Sequence, residues 1–184
     1  MKIIKNSPLI SSASFSKICL NSSISAIDPT HFRYLLGYRS SGFSLLNPVS
    51  VQSSLKVTFL LLEYFVKFRY KILFIVSVKD PILLIKFSQV CKDRNFLLIR
   101  DTEVLPGFST NKSFRRTVIV TLFLDREKTE MVQKELASTN TPLILFNDIL
   151  VNRFSSSIFI GGNYESFSTQ DLILTLLSIC LEKK

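Results

Sequence analysis

The chain has 184 residues, 47% of them hydrophobic and 20% charged, a composition that fits one folded domain and excludes a wholly disordered protein. Its net charge of +9 favours a polyanionic partner, nucleic acid before an anionic membrane. The charge is uneven, since residues 1–116 contain 17 Lys/Arg and 6 Asp/Glu whereas residues 117–184 contain 6 and 8. We therefore expect one basic surface that meets phosphate.

Metal, disulfide and membrane chemistry find little support in the sequence. The three cysteines, Cys19, Cys91 and Cys180, are far apart and include no C-x-x-C pair, which argues against a disulfide framework or a zinc site. His31 is the only histidine. The longest apolar region, residues 57–78, is interrupted by charged side chains, so we expect no membrane-spanning helix and no membrane partner.

Residues 1–30 are predicted to form a basic, Ser-rich N-terminal extension, followed by a single domain over residues 31–184. The first 26 residues contain lysines but no acidic side chain. A transit peptide is also positively charged, but it is usually rich in arginine and amphipathic. This segment contains no arginine, and its apolar residues lack helical periodicity. A basic extension that settles on a partner explains the segment equally well.

The first predicted helix covers residues 52–68. It has one narrow polar stripe on an otherwise apolar cylinder, formed by Gln52, Lys56, Glu63 and Lys67. A helix with so little polar surface is expected to be mostly buried, packed on a sheet.

Strands and helices then alternate to the end of the chain. Asp80 and Pro81 predict the N-cap and the first residue of a helix that ends near residue 92. Further helices are expected over residues 126–138 and, behind a capping box at Ser168 and Asp171, to residue 181. The strands are expected at residues 71–78, 96–99, 117–124, 141–146 and 157–160.

Nearly every predicted strand is a continuous apolar run, so both faces of the sheet must be covered. We predict an α/β fold: an open, mostly parallel sheet of about five strands with helices on both faces, flavodoxin-like or Rossmann-like, behind the basic extension. Ligands of such folds gather at the carboxyl ends of the strands.

Two glycine-containing stretches leave predicted strands, at residues 105–111 and 158–163. Gly107 in the first, and Gly161 and Gly162 in the second, allow the backbone to turn tightly or to approach another group closely. Neither stretch offers a nucleophile, a general base or a metal-ligand cluster. The sequence therefore predicts a scaffold with a recognition surface rather than an enzyme, with no cofactor and no metal.

Five degraded motifs occur in the order found in the small-subunit ribosomal protein S-two family, which the chain resembles over residues 31–182. The family's RWLGGMLTN motif is matched in part by Leu105, Gly107, Thr110 and Asn111. The family's KILFVGTK, LFVVD, GIPVVALVDTN and IPGND motifs are similar to residues 71–75, 122–125, 141–148 and 160–164. Upstream, the family's G-x-R-x-x-x-H-I-I-D/N segment is similar to Gly37, Arg39, Leu45, Leu46 and Asn47.

Two departures from the family pattern affect its partner contacts. The family inserts a long helical hairpin after its T-N motif, and here only residues 112–116 occupy that gap. The tryptophan of the RWLGGMLTN motif and two of its neighbours have also changed. The loss of these family features is what we expect of a divergent mitochondrial member. Another organelle or the cytoplasm is the alternative location.

The resemblance implies a structural constituent of the small ribosomal subunit in translation. Its expected partners are small-subunit rRNA and neighbouring ribosomal proteins, without a homo-oligomer. The expected RNA-binding residues are Arg33, Arg39, Lys67, Arg69, Lys71, Lys79, Gly107, Thr110, Asn111, Lys112, Phe114, Arg115 and Arg116.

The strongest local candidate is the basic cluster over residues 112–116. Its phenylalanine, Phe114, would stack on an unpaired base or anchor in the core. Thr110 and Asn111 would donate hydrogen bonds to phosphate or sugar, or cap a local turn. The sequence leaves both choices open.

Two other classes of protein are weighed against an RNA-binding scaffold. A nucleotide-binding or small-molecule-binding α/β enzyme would use carboxylates at strand ends, such as Asp80, Asp125 and Asp148. It is disfavoured because the turn at residues 77–81 has no glycine to cradle a pyrophosphate, and Gly161-Gly162 lacks the K-[ST] of a P-loop. The other alternative is a protein-interaction module that binds no RNA.

Overall fold

The computed structural model describes residues 18–19, 35–38, 44–94, 96–108, 116–139, 141–147 and 157–182. The strands in chain order are β1 (Leu35–Tyr38), β2 (Ser44–Leu46), β3 (Lys71–Val76), β4 (Leu97–Arg100), β5 (Thr117–Leu122), β6 (Leu143–Asn147) and β7 (Ser157–Gly161). The helices are α1 (Pro48–Lys67), α2 (Pro81–Asp93), α3 (Arg126–Ala137) and α4 (Phe167–Glu182), and a 3-10 helix covers Asp101–Glu103.

The five strands from β3 to β7 form one sheet in the order β4-β3-β5-β6-β7, and every neighbouring pair is parallel. Counted within the sheet this is the order 2-1-3-4-5 of flavodoxin-like folds. The predicted open α/β sheet of about five strands is therefore confirmed.

Both faces of the sheet are buried because its strands are apolar on both sides. Along β3, Ile72, Phe74 and Val76 point into one hydrophobic cluster, while Leu73 and Ile75 point into the other. Helices α1, α2 and α4 cover the first cluster. Helix α3 and the segment that ends at Phe108 cover the second. Helices lie on both faces, as predicted.

The helix starts show which capping predictions hold. Asp80 accepts a hydrogen bond from the Ile82 N–H at 2.8 Å, and Pro81 is the first residue of α2, as the sequence predicts. The predicted capping box of α4 is displaced. The helix begins at Phe167, and the Ser166 carbonyl accepts from the Gln170 N–H at 3.1 Å, so Ser168 lies inside the first turn.

The expectation that the first helix is mostly buried is wrong. Its buried residues are Val51, Leu55, Thr58 and Leu62, on one face alone. Among the described helices, α1 is the one long and apolar enough to cross a membrane by length and composition. It nevertheless packs along α4 and β7, and its outward face, where Val57, Leu60 and Tyr64 lie beside the polar stripe, is left exposed.

Two residues of the predicted extension pack against the domain. Ile18 and Cys19 are buried, and the Asn163 N–H donates to the Ile18 carbonyl at 2.9 Å. A Cβ on Gly162 would lie 2.8 Å from Cζ of Tyr164 and 3.0 Å from Cγ2 of Ile18. The glycine predicted to permit close approach does so here, toward the chain's own side chains.

Candidate nucleic-acid interface

Several cations meet at the amino edge of the sheet, where β3 and β5 begin. Lys71 opens β3 and pairs in register with Thr117, the first residue of β5. The Lys71 N–H donates to the Arg116 carbonyl at 3.0 Å. Helix α1 ends at Lys67 immediately before this point. The fold therefore brings Lys67, Arg69, Lys71 and Arg116 to one edge, and all four are exposed.

The end of α1 is a Schellman motif with an arginine where glycine is usual. The Tyr70 N–H donates to the Phe65 carbonyl at 3.0 Å, and the Arg69 N–H donates to the Val66 carbonyl at 3.1 Å. The Phe65 and Tyr70 rings meet edge to face, with centroids 5.2 Å apart. Arg69 takes the left-handed position, with φ of 56°. Its backbone is thus fixed by two hydrogen bonds and an aromatic contact.

Arg116 shares this conformation, with φ of 54°. A left-handed backbone costs a residue with a Cβ about 1 kcal/mol, and such positions cluster at functional sites. Arg69 lies in the turn that leads into β3, Arg116 immediately precedes the neighbouring strand β5, and the Lys71 N–H connects the start of β3 to the Arg116 carbonyl. The local turns therefore hold two guanidinium-bearing residues at adjacent points of one edge.

Charge is distributed unequally between the two edges of the sheet. Near the starts of β3, β4 and β5, the described cations are Lys67, Arg69, Lys71, Lys92, Arg94 and Arg116, and the described acids are Glu63 and Asp93. Around the carboxyl ends, the acids are Asp80, Asp101, Glu103, Asp125, Glu127, Glu165 and Asp171, and the cations are Lys79, Arg100, Arg126 and Lys128. The amino edge is therefore basic over β3, β4 and β5, and the carboxyl edge is mixed.

Lys79 and Gly107 lie away from the four clustered cations. Lys79 is exposed beyond the carboxyl end of β3, so the length of the strand, about 20 Å, separates it from the amino edge. Gly107 has φ of 84° and follows Pro106 in a turn closed by the Phe108 N–H and the Leu105 carbonyl at 3.0 Å. This is a type II turn, which requires glycine at that position.

The Gly107 N–H also donates to Oε1 of Glu135 at 2.6 Å, so the geometry of the turn explains this glycine. The remaining predicted RNA-binding residues lie outside the described residues. They are Arg33, Arg39, Thr110, Asn111, Lys112, Phe114 and Arg115.

A polar cluster occupies the carboxyl ends of β3 and β4. Oδ2 of Asp101 accepts from Nζ of Lys128 at 3.0 Å and from the Ser77 hydroxyl at 3.1 Å. Burial alone would raise the pKa of Asp101, but the hydrogen bonds and charge of Lys128 and the Ser77 hydrogen bond lower it below its ordinary value. The Asp101 carboxylate therefore connects the 3-10 helix to α3 through Lys128.

The carboxyl ends of β5 to β7, where ligands of such sheets gather, are covered by aromatic packing. Phe123 is buried, and the centroid of its ring lies 5.1 Å from the centroid of the Tyr164 ring. The Tyr164 hydroxyl donates to the Ile160 carbonyl at 3.0 Å, and Nε2 of Gln170 donates to the Tyr164 carbonyl at 2.7 Å. Of the three carboxylates weighed for an enzyme, Asp80 caps α2, Asp125 precedes α3, and Asp148 lies outside the described residues.

The sequence prediction missed one candidate segment, residues 64–71. It reads Tyr-Phe-Val-Lys-Phe-Arg-Tyr-Lys, an alternation of aromatic and basic side chains. The sequence predicts RNA binding for Lys67, Arg69 and Lys71, but its apolar pattern places Tyr64, Phe65 and Phe68 in a helix predicted to be buried. The interleaving of rings with cations was the available signal.

No protein-family model matches the chain, and no curated protein matches it. Function has to be inferred from the fold and from the placement of charge on it.

Proposed function

We propose that this protein is a structural constituent of the small ribosomal subunit, a divergent mitochondrial protein of the S-two type, that binds rRNA through the amino edge of its sheet. The observation that supports this most is the cluster of four exposed cations at that edge, Lys67, Arg69, Lys71 and Arg116. Neighbouring ribosomal proteins contact other parts of the same surface.

A cation cluster of this kind suits the RNA backbone. Lys and Arg neutralise phosphates and release condensed counterions, so affinity falls steeply as salt rises. The cluster lies at the starts of two adjacent strands and at one helix end, so backbone hydrogen bonds fix the positions from which the four side chains extend before RNA arrives. Preorganised contacts lose less conformational entropy on binding.

The opposite edge supports a scaffold role rather than a nucleotide site. In the turn after β3, Asp80 caps α2. At the carboxyl ends of β5 to β7, Phe123 and Tyr164 pack against each other and against the core. A pyrophosphate cradle needs exposed backbone N–H groups at a glycine-rich turn, which residues 77–81 do not provide.

Charge reversal at the amino edge tests the RNA-binding surface. We expect Lys71→Glu with Arg116→Glu to weaken binding of a small-subunit rRNA fragment at least tenfold, and to reduce the slope of log affinity against log salt by about two. Fluorescence anisotropy over a salt series measures both. Because both side chains are exposed, circular dichroism and the melting temperature should stay close to those of the wild type.

Lys79→Glu with Arg100→Glu is the matched control, because it makes the same charge change at two exposed sites on the other edge. It should keep most of the affinity and most of the salt slope. Equal losses from the two variants would show that overall charge, rather than the amino edge, drives binding. No binding of the wild-type chain to rRNA would contradict the proposal outright.

A further inference from the structure

Two aromatic rings are exposed at the C-terminal end of α1, beside the basic edge: Tyr64 lies in the last turn and Phe68 immediately follows the helix. Tyr64 is 50% exposed and Phe68 is 54% exposed. Their ring centroids lie 4.3 Å apart, with an interplanar angle of 41°. Rings of this size in a folded domain are ordinarily buried, because each one covers a large apolar area. The pair therefore forms an exposed aromatic surface that calls for an explanation.

The two rings are supported from below by a second aromatic pair. The ring centroid of Phe65 lies 6.0 Å from that of Tyr64, in an edge-to-face contact, and 5.2 Å from that of Tyr70. Phe65 and Tyr70 pack against the core that α1 shares with the sheet. This anchoring fixes the backbone of the helix end that carries the two exposed rings.

Cations alternate with these rings along the chain. Lys67 directly precedes Phe68, Arg69 directly follows it, and Lys71 opens β3 two residues later; all three are exposed. A phosphodiester chain that crosses the end of α1 would meet rings and positive charges in turn. Many proteins that bind single-stranded RNA combine these two elements, aromatic rings on which bases stack and basic side chains along the backbone.

We propose that Tyr64 and Phe68 form a stacking platform for an unpaired base of single-stranded RNA, with Lys67, Arg69 and Lys71 binding the phosphates on either side. This inference rests on the proposed RNA-binding function and narrows it to unpaired segments at this site. The charge around the platform favours RNA over a second copy of the chain, which would bring the same cations into contact.

The test compares two labelled RNAs of equal phosphate number, a single-stranded oligouridine and a hairpin whose loop bases are all stacked within the RNA, by fluorescence anisotropy with the full chain. The wild type should prefer the single strand. Tyr64→Ala with Phe68→Ala should weaken single-strand binding roughly tenfold or more, the loss of one or two stacked bases, and leave hairpin binding unchanged. The salt slope should also stay unchanged, because no phosphate contact is removed.

Two further variants separate stacking from general apolar contact. Leu60→Ala removes a 56% exposed aliphatic side chain from the same outward face one turn earlier, and it should leave both RNAs bound as before. Tyr64→Phe with Phe68→Tyr keeps both rings and should keep the single-strand preference. If Leu60→Ala loses as much affinity as the double alanine variant, the platform is not a base-stacking site.

Photo-crosslinking keeps the proposal testable if the alanine variants unfold. An oligouridine that contains 5-iodouridine should crosslink to Tyr64 or Phe68 in the wild-type chain, and crosslinks confined to other residues would overturn the platform. Equal affinity for hairpin and single strand would also overturn it while leaving the proposed function standing. If the wild-type chain binds neither RNA, both the stacking platform and the proposed RNA-binding function are contradicted. If the double alanine variant instead converts a dimer to a monomer with RNA binding intact, the rings serve self-association.

Discussion

Arg69 occupies a backbone position that glycine ordinarily supplies. As the left-handed residue of the Schellman motif it has φ of 56°, and the hydrogen bonds of its own N–H and of Tyr70 fix that conformation. A glycine there would remove the Cβ penalty, which is about 1 kcal/mol. An arginine at such a site is explained if its guanidinium is used, here for phosphate at the amino edge.

This explanation predicts opposite effects of one substitution on stability and on binding. In Arg69→Gly, the free energy of unfolding should stay the same or rise by up to about 1 kcal/mol, because the strain is relieved. RNA affinity should fall, with a salt slope lower by about one. Urea denaturation and anisotropy measure the two effects.

Arg69→Lys is the matched control, since it keeps both the positive charge and the strained backbone. It should retain the stability and most of the salt slope of the wild type. An Arg69→Gly variant that binds RNA with an unchanged slope would remove Arg69 from the interface.

At the scale of elements, the segment that connects β4 to β5 packs against α3. Its described part contains a 3-10 helix and no α-helix. Lys128 in the first turn of α3 binds Asp101, and Glu135 two turns later accepts from the Gly107 N–H. Between them, Val104 and Phe108 pack against Val132 and Leu136. These contacts set the path by which the chain leaves β4 toward the amino edge.

The Asp101 contact should make stability depend on pH. Its pKa in the folded protein lies below the ordinary 3.8, so its contribution is present above that value and is lost as pH falls through the folded pKa. We expect Asp101→Asn to cost about 1 kcal/mol at pH 6, and this difference to shrink as the pH approaches 2. Urea titrations at several pH values measure it.

Glu103→Gln controls for the loss of a carboxylate, because Glu103 is exposed in the same 3-10 helix. It should have little effect at any pH. A cost of Asp101→Asn that is the same at pH 6 and at acid pH would show that the ionised carboxylate is not what stabilises this contact.

The sequence predicted the elements whose signals are local. The apolar runs gave β3 and β5, and Asp80 with Pro81 gave the start of α2, because strand burial and capping depend on residues close in the chain. It did not predict that β1 and β2 pair antiparallel, because strands of four and three residues are too short to show a period. It also placed α1 in the interior, since hydrophobicity does not reveal which side a neighbour covers.

The candidate site was predictable only in part. The clustering of Lys67, Lys71 and Arg116 follows from strand order, which no local pattern specifies, and the same order places Lys79 at the far edge. The left-handed arginines were not predictable either, because arginine has no preference for that conformation. The turn at Gly107 was predictable, since Pro-Gly at its centre is the sequence of a type II turn.

On the scale of the whole molecule, the sheet separates charge between its two edges. The uneven charge along the sequence becomes a basic amino edge and a mixed carboxyl edge because the starts of β3, β4 and β5 and the adjoining helix ends supply the cations. Such a field steers a polyanion toward one side of the protein and orients it before contact. A docked scaffold uses one edge for RNA and leaves the other edge to solvent or protein.

Sedimentation through a gradient tests the central claim most directly. Mitochondrial lysate from cells that express the tagged full chain is fractionated at moderate salt, and the chain is located beside the small-subunit rRNA. We predict that the chain migrates with small ribosomal subunits and leaves them for the top of the gradient as salt is raised. A chain found entirely at the top of the gradient at moderate salt, while intact small subunits are present, would contradict the account.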